Sequence, residues 1–126
     1  RSVGVEDGVT YIALESDSDG GADPVIGPDV LIGPDPVVGY VTAFVREQAP
    51  FYRIRKVGAI SGLMVRADHR RQGLGARLVA EAARFFREKG ATYYTVYTSA
   101  ANESALRLYQ RAGLTPLHLN LVAKCE

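Results

Sequence analysis

The sequence predicts an α/β fold of the α+β kind, with helices packed on a mixed sheet, and three observations carry that prediction. Runs of β-branched and apolar residues bounded by Gly, Asp and Pro mark strands at Val9–Leu14, Val37–Val45 and Val57–Val65. Between Val57 and Thr98 a strand, a long amphipathic helix and a second strand follow one another, which requires a right-handed crossover between parallel strands. The 126 residues are 47% hydrophobic, enough for one domain, 1–126, with a real core.

The strand Val9–Leu14 lies between Asp7-Gly8 and a Ser, Asp and Gly run. Residues 22–36 are rich in Pro, Gly and Asp and carry a short echo, Ile26-Gly27-Pro28-Asp29 and Ile32-Gly33-Pro34-Asp35. Gly-Pro-Asp is ordinary turn chemistry, so the stretch reads as an extended surface loop. Val37–Val45 then pairs with the first strand as an antiparallel hairpin, and the charged stretch from Arg46 to Lys56, broken by Pro50, connects to Val57–Val65. Gly58 and Gly62 inside that third strand suggest a bulge or a close backbone approach, which a ligand lying along it would explain.

From Leu74 the apolar positions Leu74, Leu78, Ala82, Phe85 and Phe86 share one helical face, and Gly90 caps the helix after Lys89. Tyr93–Thr98 is aromatic and β-branched, hence a strand. Asn102 caps a second helix, Glu103 to Ala112, with Ala105, Leu108, Tyr109 and Ala112 on one face and Gly113 at its end. Leu117 to Ala123 is apolar enough for a closing strand.

Fifteen Lys and Arg against 14 Asp and Glu leave a net charge of +1, so nothing global points to nucleic acid or an anionic membrane. No apolar run approaches the roughly 20 residues of a membrane span, and no signal-peptide pattern opens the chain. Cys125 is the single cysteine, which excludes an intrachain disulfide and fits a reducing, cytoplasmic setting. The chain opens on Arg1 without a methionine, as expected of a processed or trimmed piece. No His, Cys, Asp and Glu grouping has metal-ligand spacing, so no metal is expected.

The local electrostatic signal is the stretch from Val65 to Leu78, where an apolar run gives way to a basic, glycine-rich loop and then to a helix. The first amides of a helix lack partners within it and, with the positive end of the macrodipole, favour a phosphate. Gly73 and Gly75 let the backbone bend and lie close to a ligand, and Arg70 and Arg71 add permanent charge with forked donors. A glycine pair alone would equally mark a basic turn before a helix. A dinucleotide-binding unit fits poorly, because Leu78 stands where its third glycine belongs and no acidic residue ends Tyr93–Thr98.

In this context the sequence resembles the GNAT superfamily of acetyl-CoA-dependent N-acetyltransferases, from about Val37 to Leu114. Arg70-Arg71-Gln72-Gly73-Leu74-Gly75 matches the family loop Gln/Arg-x-x-Gly-x-Gly/Ala, and Leu63-Met64-Val65 running to His69-Arg70 matches the strand end before it. Asn102, Ala105, Tyr109, Gly113 and Leu114 match a later Asn-x-x-Ala-x-x-x-Tyr-x-x-x-Gly-(Phe/Leu) segment. The resemblance implies a mostly antiparallel sheet with a central splayed parallel pair and helices on both faces. Family members usually begin with a strand and two helices over the acceptor groove. Nothing before Val9 supplies these, so that segment is expected to be lost or supplied by another chain or domain.

The resemblance also implies a set of roles. Acetyl-CoA is the co-substrate, its pyrophosphate received by Arg70, Arg71, Gln72, Gly73, Leu74, Gly75, Ala76 and Arg77. The backbone of Leu63, Met64 and Val65 bonds the pantetheine arm as an added strand would, and Asn102 serves as cap and polar contact. Tyr109 protonates the leaving thiolate, which a phenol of pKa about 10 can do; an isolated tyrosine there would otherwise read as ring packing. No general base is evident: Glu47 and Glu103 both read as solvated charges. His69 is expected to orient the loop, and His118 to be a strand or surface residue. The expected function is N-acetyl transfer by direct attack in a ternary complex, the alternative a non-catalytic acyl-CoA-binding regulatory module. The acceptor is an amine-bearing small molecule, peptide or protein, and a homodimer is left open.

Overall fold

The computed structural model describes residues 5–15, 24–28, 36–47, 56–70, 72–117 and 119–125, with only the backbone of 5–7. Strands β1 (Val5–Leu14), β2 (Val25–Pro28), β3 (Val37–Glu47), β4 (Lys56–Val65) and β5 (Tyr93–Val96) form one sheet in the order β2-β1-β3-β4-β5. Each neighbouring pair is antiparallel except β4 and β5, which run parallel. Helix α1 (Leu74–Glu88) makes the crossover between them, and α2 (Glu103–Arg111) follows β5. The mixed α/β fold class is as the sequence predicts, and so is the β1–β3 hairpin, with Tyr11 opposite Val41.

The register explains the core. Gly39 lies under Leu78 and Leu74 of α1, so Gly39, Val41, Ala43 and Val45 point at the helix, with Tyr11 and Ala13 beside them on β1. The predicted apolar stripe of α1 is buried against them, together with Val79. Gly90 and Gly113 follow α1 and α2 with φ of 86° and 101°, the left-handed stops read from the sequence.

Four expectations change. Within the predicted 22–36 loop, Val25–Pro28 is a strand paired with β1 at the sheet edge, where the missing N–H of Pro28 costs no ladder bond; the second half of the echo lies outside the described residues. Gly58 makes room for a side chain, not a ligand: a Cβ there would sit 2.4 Å from the Phe86 ring. The closing strand at Leu117–Ala123 is absent from its described residues, whose Leu117, Leu119, Leu121 and Val122 are exposed, because an apolar run becomes a strand only when an edge pairs with it; His118 lies outside the described residues. Finally, the described helices join the core on one side of the sheet, through the α1 stripe and through Ala105, Leu108 and Tyr109 of α2. The other side, reached by the alternate residues Tyr40, Met64 and Tyr93, leaves those three exposed.

Candidate active site

Two strand ends open the site. β4 pairs with β5 from Val57 to Ile60 only, after which the chain leaves Val96 for α2 while β4 continues to Val65 along β3. Thr42 faces Gly62 and Ala43 faces Ile60, so Ser61 is the extra residue of a bulge at the point of divergence. The gap is a cavity of about 240 Å³, walled by Ser61, Gly62 and Leu63 of β4, by Val96, Tyr97 and Thr98, and by Asn102, Ala105 and Tyr109 at α2.

Tyr109 and Asn102 thus line the same cavity as β4. Tyr109 is 8% exposed, and burial pushes its phenol above the ordinary 10.0, so it holds its proton at neutral pH. Among the described residues its hydroxyl has no hydrogen-bond partner, which leaves it free to donate into the cavity. The Asn102 carboxamide oxygen accepts from the Ala105 amide at 3.1 Å, the cap the sequence predicts. Of the two candidate bases, neither lines the cavity, and Glu103 is a solvated charge 3.8 Å from Arg107.

The loop ahead of α1 is built from short-range contacts. Arg66 forks onto Asp68 at 2.7 and 3.0 Å, a bond that holds the Asp68 carboxyl below the usual carboxylate range, and a single 3₁₀ turn spans Ala67–His69. The Arg70 guanidinium donates to the Val65 carbonyl at 2.9 Å, so that carbonyl is already engaged at the end of β4. Gly73 caps α1 at φ 81°, with open space where a Cβ would stand. The first helical bond runs from the Arg77 amide to the Gly73 carbonyl at 3.0 Å, so the amides of Leu74, Gly75 and Ala76 are the ones without a helical partner.

Two assigned residues also make contacts within the chain. Arg77 turns a guanidinium nitrogen to the Pro24 carbonyl at 3.0 Å, joining α1 to the start of β2. At Gly75 a Cβ would lie 3.1 Å from Leu108, so the absence of a side chain lets α2 approach α1. Arg71 lies outside the described residues. Sequence reasoning missed Ser61, Tyr97 and Thr98 in the wall; the dipeptide Ser61-Gly62 inside an apolar strand was the one local signal. Among the described residues no group of His, Cys, Asp and Glu is placed to hold a metal, and no helix is long and apolar enough to cross a membrane.

The splayed parallel pair, the bulge at its divergence and the helix N-terminus just beyond it all lie within a stretch that matches one protein family. Its model, the acetyltransferase (GNAT) family, matches residues 8–114. This chain belongs to the GNAT family. The probable N-acetyltransferase HLS1 of Arabidopsis thaliana is 37% identical over 54 residues, 43% of this chain and 13% of that protein. An aminoglycoside acetyltransferase, meta-AAC0020 from an uncultured soil metagenomic sample, solved with trehalose, is 27% identical, with a TM-score of 0.56 over 70% of this chain and 59% of that one. The aminoglycoside N-acetyltransferase AAC(6')-Iy, solved with CoA, is 19% identical with a TM-score of 0.63 over 75% of this chain and 72% of that one, a likeness of fold. The GNAT chain thus spans a small part of its curated relative and under two thirds of the metagenomic enzyme.

Proposed function

We propose that this GNAT domain transfers an acetyl group from acetyl-CoA to a primary amine, by direct attack of the amine while both substrates are bound. The observation that carries the reading is the cavity between the diverging ends of β4 and β5 with Tyr109 in its wall. Beyond Ser61, β4 has β3 on one side and, among the described residues, no strand on the other, so its outward backbone groups can bond the amides of a pantetheine arm. The unpaired amides of Leu74, Gly75 and Ala76, with the open approach at Gly73, suit the pyrophosphate. CoA-bound relatives of the same fold support that ligand.

The amine nitrogen adds to the thioester carbonyl, the C–S bond breaks, and the sulfur leaves with the electron pair. Tyr109 gives it the phenolic proton, which burial keeps on the ring oxygen at neutral pH, and the proton shed by the acylated nitrogen restores the phenol. The aminoglycoside acetyltransferases among the structural relatives support a small-molecule amine as acceptor.

The test is thiol release from acetyl-CoA with a panel of small amines, peptides and protein lysines. Tyr109→Phe should lower kcat about 100-fold and leave acetyl-CoA affinity within about twofold. Unchanged kcat would remove the acid role. Tight acetyl-CoA binding with no turnover on any amine would favour the binding module, and no binding would end the reading.

A further inference from the structure

The connection from β4 into α1 is tied mostly to itself: Arg66 to Asp68, the His69 amide to the Arg66 carbonyl, and Arg70 to the Val65 carbonyl. Among the described residues, Val38 and Glu15 reach it from elsewhere. The Val38 carbonyl accepts the Arg66 amide at 2.7 Å, and Glu15, just past the end of β1, brings its carboxylate to 3.3 Å from His69 Nε2 and 3.7 Å from Arg66. Glu15 is itself fixed, since its amide donates to the Pro36 carbonyl at 2.9 Å. We infer that Glu15 is a positioning residue: through His69 it holds the turn at Ala67–His69, and so sets the loop from Arg70 to Ala76 for the CoA pyrophosphate. The inference rests on the acetyl-CoA reading above.

A carboxylate only accepts, so His69 donates to Glu15 from Nε2, while Nδ1 is buried without a partner. The His69 side chain is 15% exposed. Without Glu15 both ring nitrogens would lack partners in a largely buried ring, and the turn would lose its only side-chain tether to β1 among the described residues. The Glu15 side chain is 40% exposed, so the pair adds little to global stability, and its effect falls on the loop.

Direct electrostatics predicts the opposite sign, which makes the inference sharp. A carboxylate near an anion site repels the anion, so its removal should tighten binding unless the tether matters more.

The experiment compares Glu15→Ala, Glu15→Gln, His69→Ala and the double variant Glu15→Ala/His69→Ala with the unmodified chain. It measures kcat and KM for acetyl-CoA, and amide exchange from Gln72 to Ala76 without ligand. Glu15→Ala should raise KM about tenfold, leave kcat within about twofold, and speed exchange in the loop. Glu15→Gln, whose amide oxygen still accepts from His69, should stay within about twofold of the unmodified chain. The double variant should be no worse than either single one, as for residues acting through one contact. Tighter binding in both Glu15 variants would overturn the inference, and so would unchanged KM and exchange in Glu15→Ala. An unmodified chain that fails to bind acetyl-CoA would end the functional reading, while the exchange measurement would still decide whether Glu15 holds the loop.

Discussion

From Val57 to Ile60, β4 lies between β3 and β5, and the Phe86 ring fills the space over Gly58, with the Tyr94 ring of β5 5.1 Å from it. From Ser61 to Val65 the same strand keeps β3, loses β5 and borders the cavity. In the first half, backbone groups are used on both edges and the faces are filled by rings. In the second, one edge has no strand beside it among the described residues, and Arg70 takes up only the Val65 carbonyl at its end. Two glycines four residues apart mark the two conditions: Gly58 yields its volume to a core ring, while a Cβ at Gly62 would meet only Tyr40 at 3.5 Å. The bulge at Ser61 separates them. Structural and functional parts of one strand are thus divided by a single unpaired residue.

That contrast can be broken most severely at Gly58. Gly58→Val should cost about 3 kcal/mol or more, because the new side chain and the Phe86 ring claim the same space; urea titration would show it, and partial rescue by Phe86→Leu would tie the loss to the ring. A Gly58→Val variant of full stability would mean that the paired half is not packed as described.

A smaller effect distinguishes the halves by pH. Burial raises the phenol pKa of Tyr94, in the paired half, and of Tyr109, at the cavity, above 10.0. Each folded phenol therefore keeps a proton that the unfolded chain releases. Their share of stability is complete below about pH 10 and falls as pH rises through the higher folded values. Thermal unfolding between roughly pH 9 and 11 should show this decline, and Tyr94→Phe and Tyr109→Phe should each flatten it. A decline untouched by both substitutions would place its origin elsewhere.

The smallest effect is expected at Gly62→Ala, which should change stability by no more than about 0.5 kcal/mol, since the added methyl makes ordinary contact. Its consequence belongs to the ligand: because Gly62 lines the cavity, acetyl-CoA affinity should fall while the melting curve stays in place. A loss of stability comparable to that of Gly58→Val would erase the distinction between the halves.

Much of this architecture was legible because it depends on neighbours in sequence. The period of Leu74, Leu78, Ala82, Phe85 and Phe86, the Asn102 cap and the stops at Gly90 and Gly113 are local rules, and each is realised in α1 or α2. Less was legible where a residue answers to something distant. Gly58 and Gly75 look like ligand glycines in the sequence, yet each is shaped by a side chain from another element, Phe86 and Leu108. Val25–Pro28 hides in turn chemistry because its strand character comes from the β1 edge. Leu117 to Ala123 shows the reverse case, an apolar run with no edge paired to it among the described residues.

The sequence by itself determined the order of β1, β3, β4, α1, β5 and α2, the helix ends, and the basic glycine loop before α1, since these follow from periodicity, capping and backbone freedom within a few residues. The tertiary structure alone decided where β4 and β5 part, that Tyr109 and Asn102 face Ser61 and Gly62 across the gap, and that Glu15 reaches His69 from the end of β1. Those are contacts between residues dozens of positions apart, and only the packing of α1 and α2 against the sheet brings them within reach.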